Sequence, residues 1–287
     1  MSVERAVLNQ IEEVVGVRAS GTRALAGGCI AEVHRLDFVD GQRLVAKVDR
    51  GPTPRLDVEG LMLAELARRT SLRVPHVIVS EPGLLLMEFI ESDGVVSDGG
   101  REEFADAMAA LHRVRTEKYG FGRDTLIGPM TQPNVDSNEW ASFFAEYRLR
   151  RFSDEARRSA RLPDELHRRC LELADRLADE LEATEGPVLI HGDCWSGNVL
   201  WHSGRFAGVI DPAIYHAERE VELAFMDLMG SFGSAFWGRY EELFPIQPGF
   251  WERRRRIYQL YPLLVHVHLF GGGYVGAVAE ALDAAGA

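Results

Sequence analysis

At 287 residues, with hydrophobic side chains at 46% and charged ones at 26%, the chain carries enough apolar material for a substantial core and enough length for about two domains. Its 28 glycines and 12 prolines are too few for a collagen-like or low-complexity chain. Acidic residues outnumber basic ones 44 to 32, and the net charge of −12 argues against nucleic acid or an anionic membrane surface as the main partner.

In chain order, the opening MSVERAVLNQIEEVVG reads as a short amphipathic helix with Ser2 as cap and Val3, Val7 and Ile11 on one face. It has no apolar run of the kind a secretory signal needs, and Cys29, Cys170 and Cys194 form no CxxC pair, so a reducing cytoplasm is expected. Strand patterns follow at 33–39 and 43–48 around the turn Asp40-Gly41, the second with Leu44, Ala46 and Val48 on one side and Val45 and Lys47 on the other. Residues 57–69 read as a helix, and 77–79 with 84–87 as two strands around Glu81-Pro82-Gly83. The pattern changes near residue 92. Beyond it come helices at 101–115, 138–156, 163–184, 219–230 and 250–270, interrupted by a short β island at 188–191, 199–201 and 206–210. Residues 261–279 lack Asp, Glu, Lys and Arg but contain Pro262 and a glycine run, which predicts a buried helix breaking at 271–273 and not a membrane span. The expected class is α+β: a small antiparallel sheet with one helix over 1–92, and a larger, mainly helical part over 93–287.

The residues that carry chemistry gather in the β island. His191-Gly192-Asp193-Cys194-Trp195-Ser196-Gly197-Asn198 is followed by Asp211 at the end of an apolar run. Phosphoryl transfer asks for a carboxylate near the acceptor hydroxyl, oxygen ligands for Mg²⁺ and a cation on the nucleotide phosphates. Asp193 suits the first task, Asn198 and Asp211 the second, and Lys47 the third, with Glu59 on the following helix as its ion-pair partner. Gly27 and Gly28 precede that hairpin, in a turn where a missing Cβ lets backbone amides approach phosphate oxygens. Cys29 stands in the same turn, where amide dipoles would favour a reactive thiolate open to oxidation.

At these motifs the chain resembles the fructosamine (ketosamine) 3-kinases, a family among the protein-kinase-like small-molecule kinases. The resemblance runs through GGCIAEV, VLIHGDCWSGNVLW, VIDPAIYHAEREVELAF and YQLYPLLVHVHLFGGGYV. It implies a two-lobed protein-kinase-like fold, ATP with Mg²⁺, and phosphorylation of the sugar 3-hydroxyl of a ketosamine, free or protein-bound, as a deglycation repair. It also implies a hinge at Met87, Glu88, Phe89 and Ile90 whose backbone meets adenine, and an acceptor site shaped by Tyr215, His216, Glu218, Arg219 and Glu220. Family members more often have His where Glu218 stands, which leaves acceptor preference open. Trp195 offers an indole face to a sugar or an attached amine. A different hydroxylated amine, of aminoglycoside or choline type, is the alternative acceptor. A nucleotide-binding protein without transfer activity is the alternative class, opposed by the complete set of Lys47, Glu59, Asp193, Asn198 and Asp211. Arg148, Arg150, Arg151 and 253–256 are expected on solvated helix faces, and His266 as a core histidine that shares no metal with His268.

Overall fold

A computed structural model describes residues 5–25, 31–181 and 185–287. The glycine turn with Gly27, Gly28 and Cys29 therefore lies outside the described residues. Helix α1 (Arg5–Val15) leads into β1 (Gly21–Ala24), β2 (Glu32–Asp37) and β3 (Arg43–Val48), then α2 (Leu56–Arg69), β4 (Val77–Glu81) and β5 (Leu84–Glu88). The five strands form one antiparallel sheet in the order β1-β2-β3-β5-β4. Alternation along β3 has the expected consequence. Leu44, Ala46 and Val48 face an apolar cluster with Ile11 of α1, while Val45 faces a second cluster with Leu56, Met62, Leu63 and Leu66 of α2. Burying each such leucine contributes about 1.5–3 kcal/mol. Lys47 shares the α2 side of β3, opposite Val33 and Leu85 in the neighbouring strands.

The chain continues with α3 (Asp98–Leu111), a small hairpin of β6 (Thr125–Ile127) and β7 (Met130–Gln132), α4 (Trp140–Phe144), a π-helical turn (Ala145–Arg150), α5 (Arg151–Arg158) and α6 (Asp164–Glu180). Ser97 caps α3 by accepting from the Gly100 amide, so this helix starts earlier than its apolar periodicity suggests. It also stops earlier, because His112 bonds inward to the core. Then come β8 (Val188–Ile190), β9 (Val199–His202), β10 (Arg205–Val209), β11 (Tyr215–Ala217), α7 (Arg219–Met229), α8 (Gly233–Leu243), a second π-helical turn (Phe250–Arg254), α9 (Arg255–Phe270) and α10 (Tyr274–Ala284). Strand β9 pairs with β10 and β8 with β11, each antiparallel. The glycine run at 271–273 separates α9 from α10, and no helix among the described residues is long and apolar enough to cross a membrane.

One expectation fails clearly here. Arg148 is not on a solvated face: it is fully buried, donates to the Pro133 carbonyl and Asn134 Oδ1, and lies 4.0 Å from the centre of the Tyr215 ring. It occurs in the π-helical turn, where the wider winding departs from the 3.6-residue period that the expectation assumed.

Candidate active site

Lys47 is drawn from the sheet to two carboxylates. Its Nζ donates to Glu59 Oε1 at 2.6 Å and to Asp211 Oδ1 at 2.5 Å, so β3, α2 and the segment after β10 meet at one buried ammonium. Burial alone would push this lysine toward its neutral form. The charges of Asp211 and Glu59 overturn that and hold its pKa above the ordinary lysine value. For Glu59, burial outweighs the lysine and raises the carboxyl's pKa.

The loop after β8 carries the second half of the site. Gly192 has φ +82°, and a Cβ there would fall 2.1 Å from the Ala213 carbonyl oxygen, so only glycine fits. Asn198 closes the loop: its Nδ2 donates to the Asp193 carbonyl at 2.9 Å, to Asp193 Oδ2 at 3.0 Å and to the Asp211 carbonyl at 3.4 Å. Lys47, Glu59, Asp211, Asn198 and Asp193 are thus linked contact by contact. Asp211 adopts φ +56°, a left-handed conformation unusual for a side-chain-bearing residue and costing on the order of 1 kcal/mol. Neighbouring bonds, Ile210 N to the Asn198 carbonyl and Ala213 N to the His191 carbonyl, hold it there. Burial first, then the Asp211 charge, raises the Asp193 carboxyl well above the usual aspartate range. A carboxylate so placed accepts a proton more readily than one in water.

Trp195 is 42% exposed, and its indole lies across Gly197, where a Cβ would fall 2.3 Å from Cη2. The spacing Trp-Ser-Gly-Asn therefore has a steric reason: the glycine makes room for the ring that the loop presents to solvent.

Four of the residues expected around the acceptor are engaged with partners inside the fold. Tyr215 is buried beneath Arg148 and stacked on Phe143. Glu218 accepts from Tyr119 Oη at 2.5 Å and from the Glu185 and Gly186 amides. Arg219 forms a two-point pair with Glu185 and lies 3.8 Å from the centre of the Phe244 ring, and Glu220 pairs at two points with Arg254. Charged groups taken from water survive only when paired, and these are paired within the fold. His216 is half-buried against Phe121 with Arg69 at its Nε2. Of the expected hinge, Met87 and Ile90 are buried, Glu88 ends β5 and is held by Arg73, and the Phe89 ring has the Arg35 and Arg43 guanidiniums 5.5 and 5.6 Å from its centre. His266 is half-buried with Nδ1 on the Pro262 carbonyl, whereas His268 bonds the Glu155 carbonyl.

Two participants were not singled out from the sequence. Glu222, buried on α7, accepts from the His191 amide at 3.1 Å, the Gly192 amide at 2.7 Å and His112 Nε2 at 2.9 Å, so it anchors the loop that carries Asp193. His112 passes its other ring nitrogen to Tyr240 Oη at 2.7 Å. The available signal was a glutamate inside the apolar stretch EVELAF and a histidine ending the apolar face of α3. Donor atoms of His191, Cys194 and Glu222 come within 4.8 Å of one another, but the Glu222 oxygens already serve three donors. Cys170 and Cys194 are buried free thiols, and burial raises the pKa of both.

The fructosamine kinase family model matches residues 3–285 of the chain. A probable ketoamine kinase of Thermus thermophilus is 35% identical over 279 residues, covering 94% of this chain and 96% of that protein. A chloroplastic protein-ribulosamine 3-kinase of rice (Oryza sativa subsp. indica) is 31% identical, over 95% of this chain and 81% of its own length. Among solved structures, a fructosamine-3-kinase candidate from Thermobifida fusca has a TM-score of 0.89 at 30% identity, covering 99% of each chain.

Proposed function

The chain belongs to the fructosamine kinase family, and on that premise we propose that it moves the terminal phosphoryl group of ATP to the sugar 3-hydroxyl of a ketosamine, with Asp193 as the base. The single observation that supports this reading best is the convergence of Lys47, Glu59 and Asp211 at one ammonium while Asn198 ties Asp211 to Asp193. Lys47, kept charged by its two carboxylates, neutralises the α and β phosphates, and Glu59 fixes its direction. The sequence motif assigns Gly27 and Gly28 to the phosphates, and the resemblance assigns the backbone at 87–90 to adenine. The nucleotide-holding part then corresponds to residues 1–92 and the acceptor-holding part to 93–287.

Asp193 receives the proton of the attacking hydroxyl as the oxygen–phosphorus bond forms. Its raised affinity for a proton suits that task, and Asn198 holds one of its oxygens so that the carboxylate keeps a fixed direction. Glu222 keeps the loop itself in place through two backbone amides. Asn198 turns its Nδ2 toward Asp193 and so retains its carbonyl oxygen as a donor, and Asp211 has a second carboxylate oxygen beyond the one on Lys47. These hard oxygens fit magnesium, which would offset phosphate charge when bound there. Trp195 supplies the platform for the sugar or the amine it modifies, and the products are ADP and a 3-phosphorylated adduct of a free or protein-bound amine, the step through which the chain serves deglycation.

The test is product analysis. Purified protein with ATP, Mg²⁺ and fructoselysine is expected to release ADP and to place phosphate on the 3-oxygen of the sugar, as NMR would show. Phosphate on another hydroxyl, or ADP release only with an aminoglycoside or choline, would contradict the acceptor assignment.

A further inference from the structure

Helix α2 carries Glu59, and both of its ends are fastened to the chain beyond residue 92. Just before its first turn, Arg55 Nη1 donates to Thr131 Oγ1 at 2.6 Å. In its last turn, Arg69 Nη1 lies 2.9 Å from His216 Nε2. A guanidinium only donates, so Nε2 must be the accepting nitrogen. An accepting Nε2 leaves the proton of the neutral ring on Nδ1. Burial, then the Arg69 charge, holds the His216 pKa down at about 4, so the imidazole stays neutral and able to accept.

Both fasteners lead to one stretch of chain. His216 lies in β11, bonded through its backbone to Gly120 in both directions and paired opposite Leu189 of β8, the strand that runs directly into His191 and Asp193. Thr131 lies in β7. Its neighbour Gln132 donates to the Ala213 carbonyl at 3.0 Å, and Thr125 of the paired strand β6 donates to the Ile214 carbonyl at 3.1 Å. Residues 213–216, immediately after Asp211, thus receive both ends of the helix that carries Glu59. At 1.5 Å per residue the two points are about 20 Å apart along α2, and two such points resist the pivoting that either one alone would allow.

We propose that Arg55 and Arg69 are positioning residues for phosphoryl transfer: with Thr131 and His216 they brace α2 at both ends against the Asp211 segment, so that Glu59 and Lys47 meet Asp211 before a nucleotide arrives. This rests on the reading of Lys47 and Glu59 as the phosphate-holding pair. It assigns to His216 a mechanical task in place of acceptor contact.

The experiment compares Arg55→Met, Arg69→Met, the double variant and Arg69→Lys, with parameters corrected for the folded fraction. Each single methionine variant is expected to lower kcat/KM for ATP about 3–10-fold and the double variant about 30–100-fold, with KM for fructoselysine within 2-fold of the parent. Arg69→Lys, which keeps a donor, is expected to recover most of the loss. A merely structural role would lower the melting temperature and leave the ATP parameters of the folded enzyme alone, and a double variant with parental kcat/KM for ATP would overturn the brace. If the parent itself releases no ADP with fructoselysine, the acceptor reading has failed, and the brace is read separately by hydrogen exchange in the ATP-free protein. There the double variant is expected to exchange the amides of α2 at least 10-fold faster, with α9 unchanged. Equal rates across α2 would overturn the proposal.

Discussion

The loop at 191–198 and the segment at 215–220 both carry several polar residues and flank Asp211 on either side, yet one opens to solvent and the other is closed. In the loop, Trp195, Ser196 and Gly197 are exposed and Asp193 is half-buried, with hydrogen bonds that run to other members of the site. In the segment, Tyr215, Glu218, Arg219 and Glu220 are buried, and the three charged side chains each end on a partner within the fold. Polar density near a catalytic loop therefore does not distinguish a site from its scaffold. Where the hydrogen-bonding capacity ends does.

That contrast can be broken by exchanging the expected phenotypes. The largest stability effect belongs to the closed segment: Glu220→Ala leaves the Arg254 guanidinium without its two-point partner and is expected to destabilise the fold by about 3–5 kcal/mol. Chemical denaturation would measure this, and kcat of the remaining folded enzyme should stay within about 2-fold of the parent. A Glu220→Ala protein of parental stability that has lost acceptor binding would return this residue to the acceptor site. On the open side, Trp195→Ala is expected to raise KM for fructoselysine about 10-fold, or about 1.4 kcal/mol, with the melting temperature nearly unchanged. Loss of stability with an unchanged KM would make the indole a packing residue.

A smaller effect carries a sign. The Asp193 pKa is raised in the fold, so its contribution to stability is complete below the ordinary aspartate pKa and is lost as pH rises through the raised value. Asp193→Asn removes the charge that burial and Asp211 oppose. It is expected to stabilise the protein by about 1 kcal/mol at neutral pH, a rise of about 2 °C in melting temperature that disappears near pH 4 and below. A destabilised Asp193→Asn at neutral pH would mean that the carboxylate holds the loop together and is not opposed by it.

Much of this architecture was legible in the residues. The alternation in β3 separated Lys47 from Leu44, Ala46 and Val48, and the two faces did go to different cores. Glu59 is the fourth residue of α2, on its first turn, and meets Lys47 of β3 as the sequence spacing suggested. What escaped detection was short or depended on partners far along the chain. Strands β6, β7 and β11 have three residues each, too few for a period to show, and they are fixed by Gln132, Thr125 and Gly120 reaching across to residues 213–216. Arg219 and Glu220 were expected at the acceptor site because Glu185 and Arg254, which neutralise them, are each 34 positions away and nothing in the local pattern announces the pairing. Glu222 was overlooked for the same reason, since its role depends on the His191 and Gly192 amides. Sequence spacing finds groups that act on a shared ligand at characteristic intervals. It does not find a partner supplied only by packing.

In the proposed reaction Asp193 is the group that takes the acceptor's proton. The most direct measurement is kcat for ADP release from ATP and fructoselysine by Asp193→Asn beside the parent, with ATP affinity and melting temperature recorded on the same samples. A fall of about 10²–10⁴-fold in kcat, with ATP affinity within a few-fold and the fold intact, is the predicted result. An Asp193→Asn enzyme as fast as its parent would contradict it.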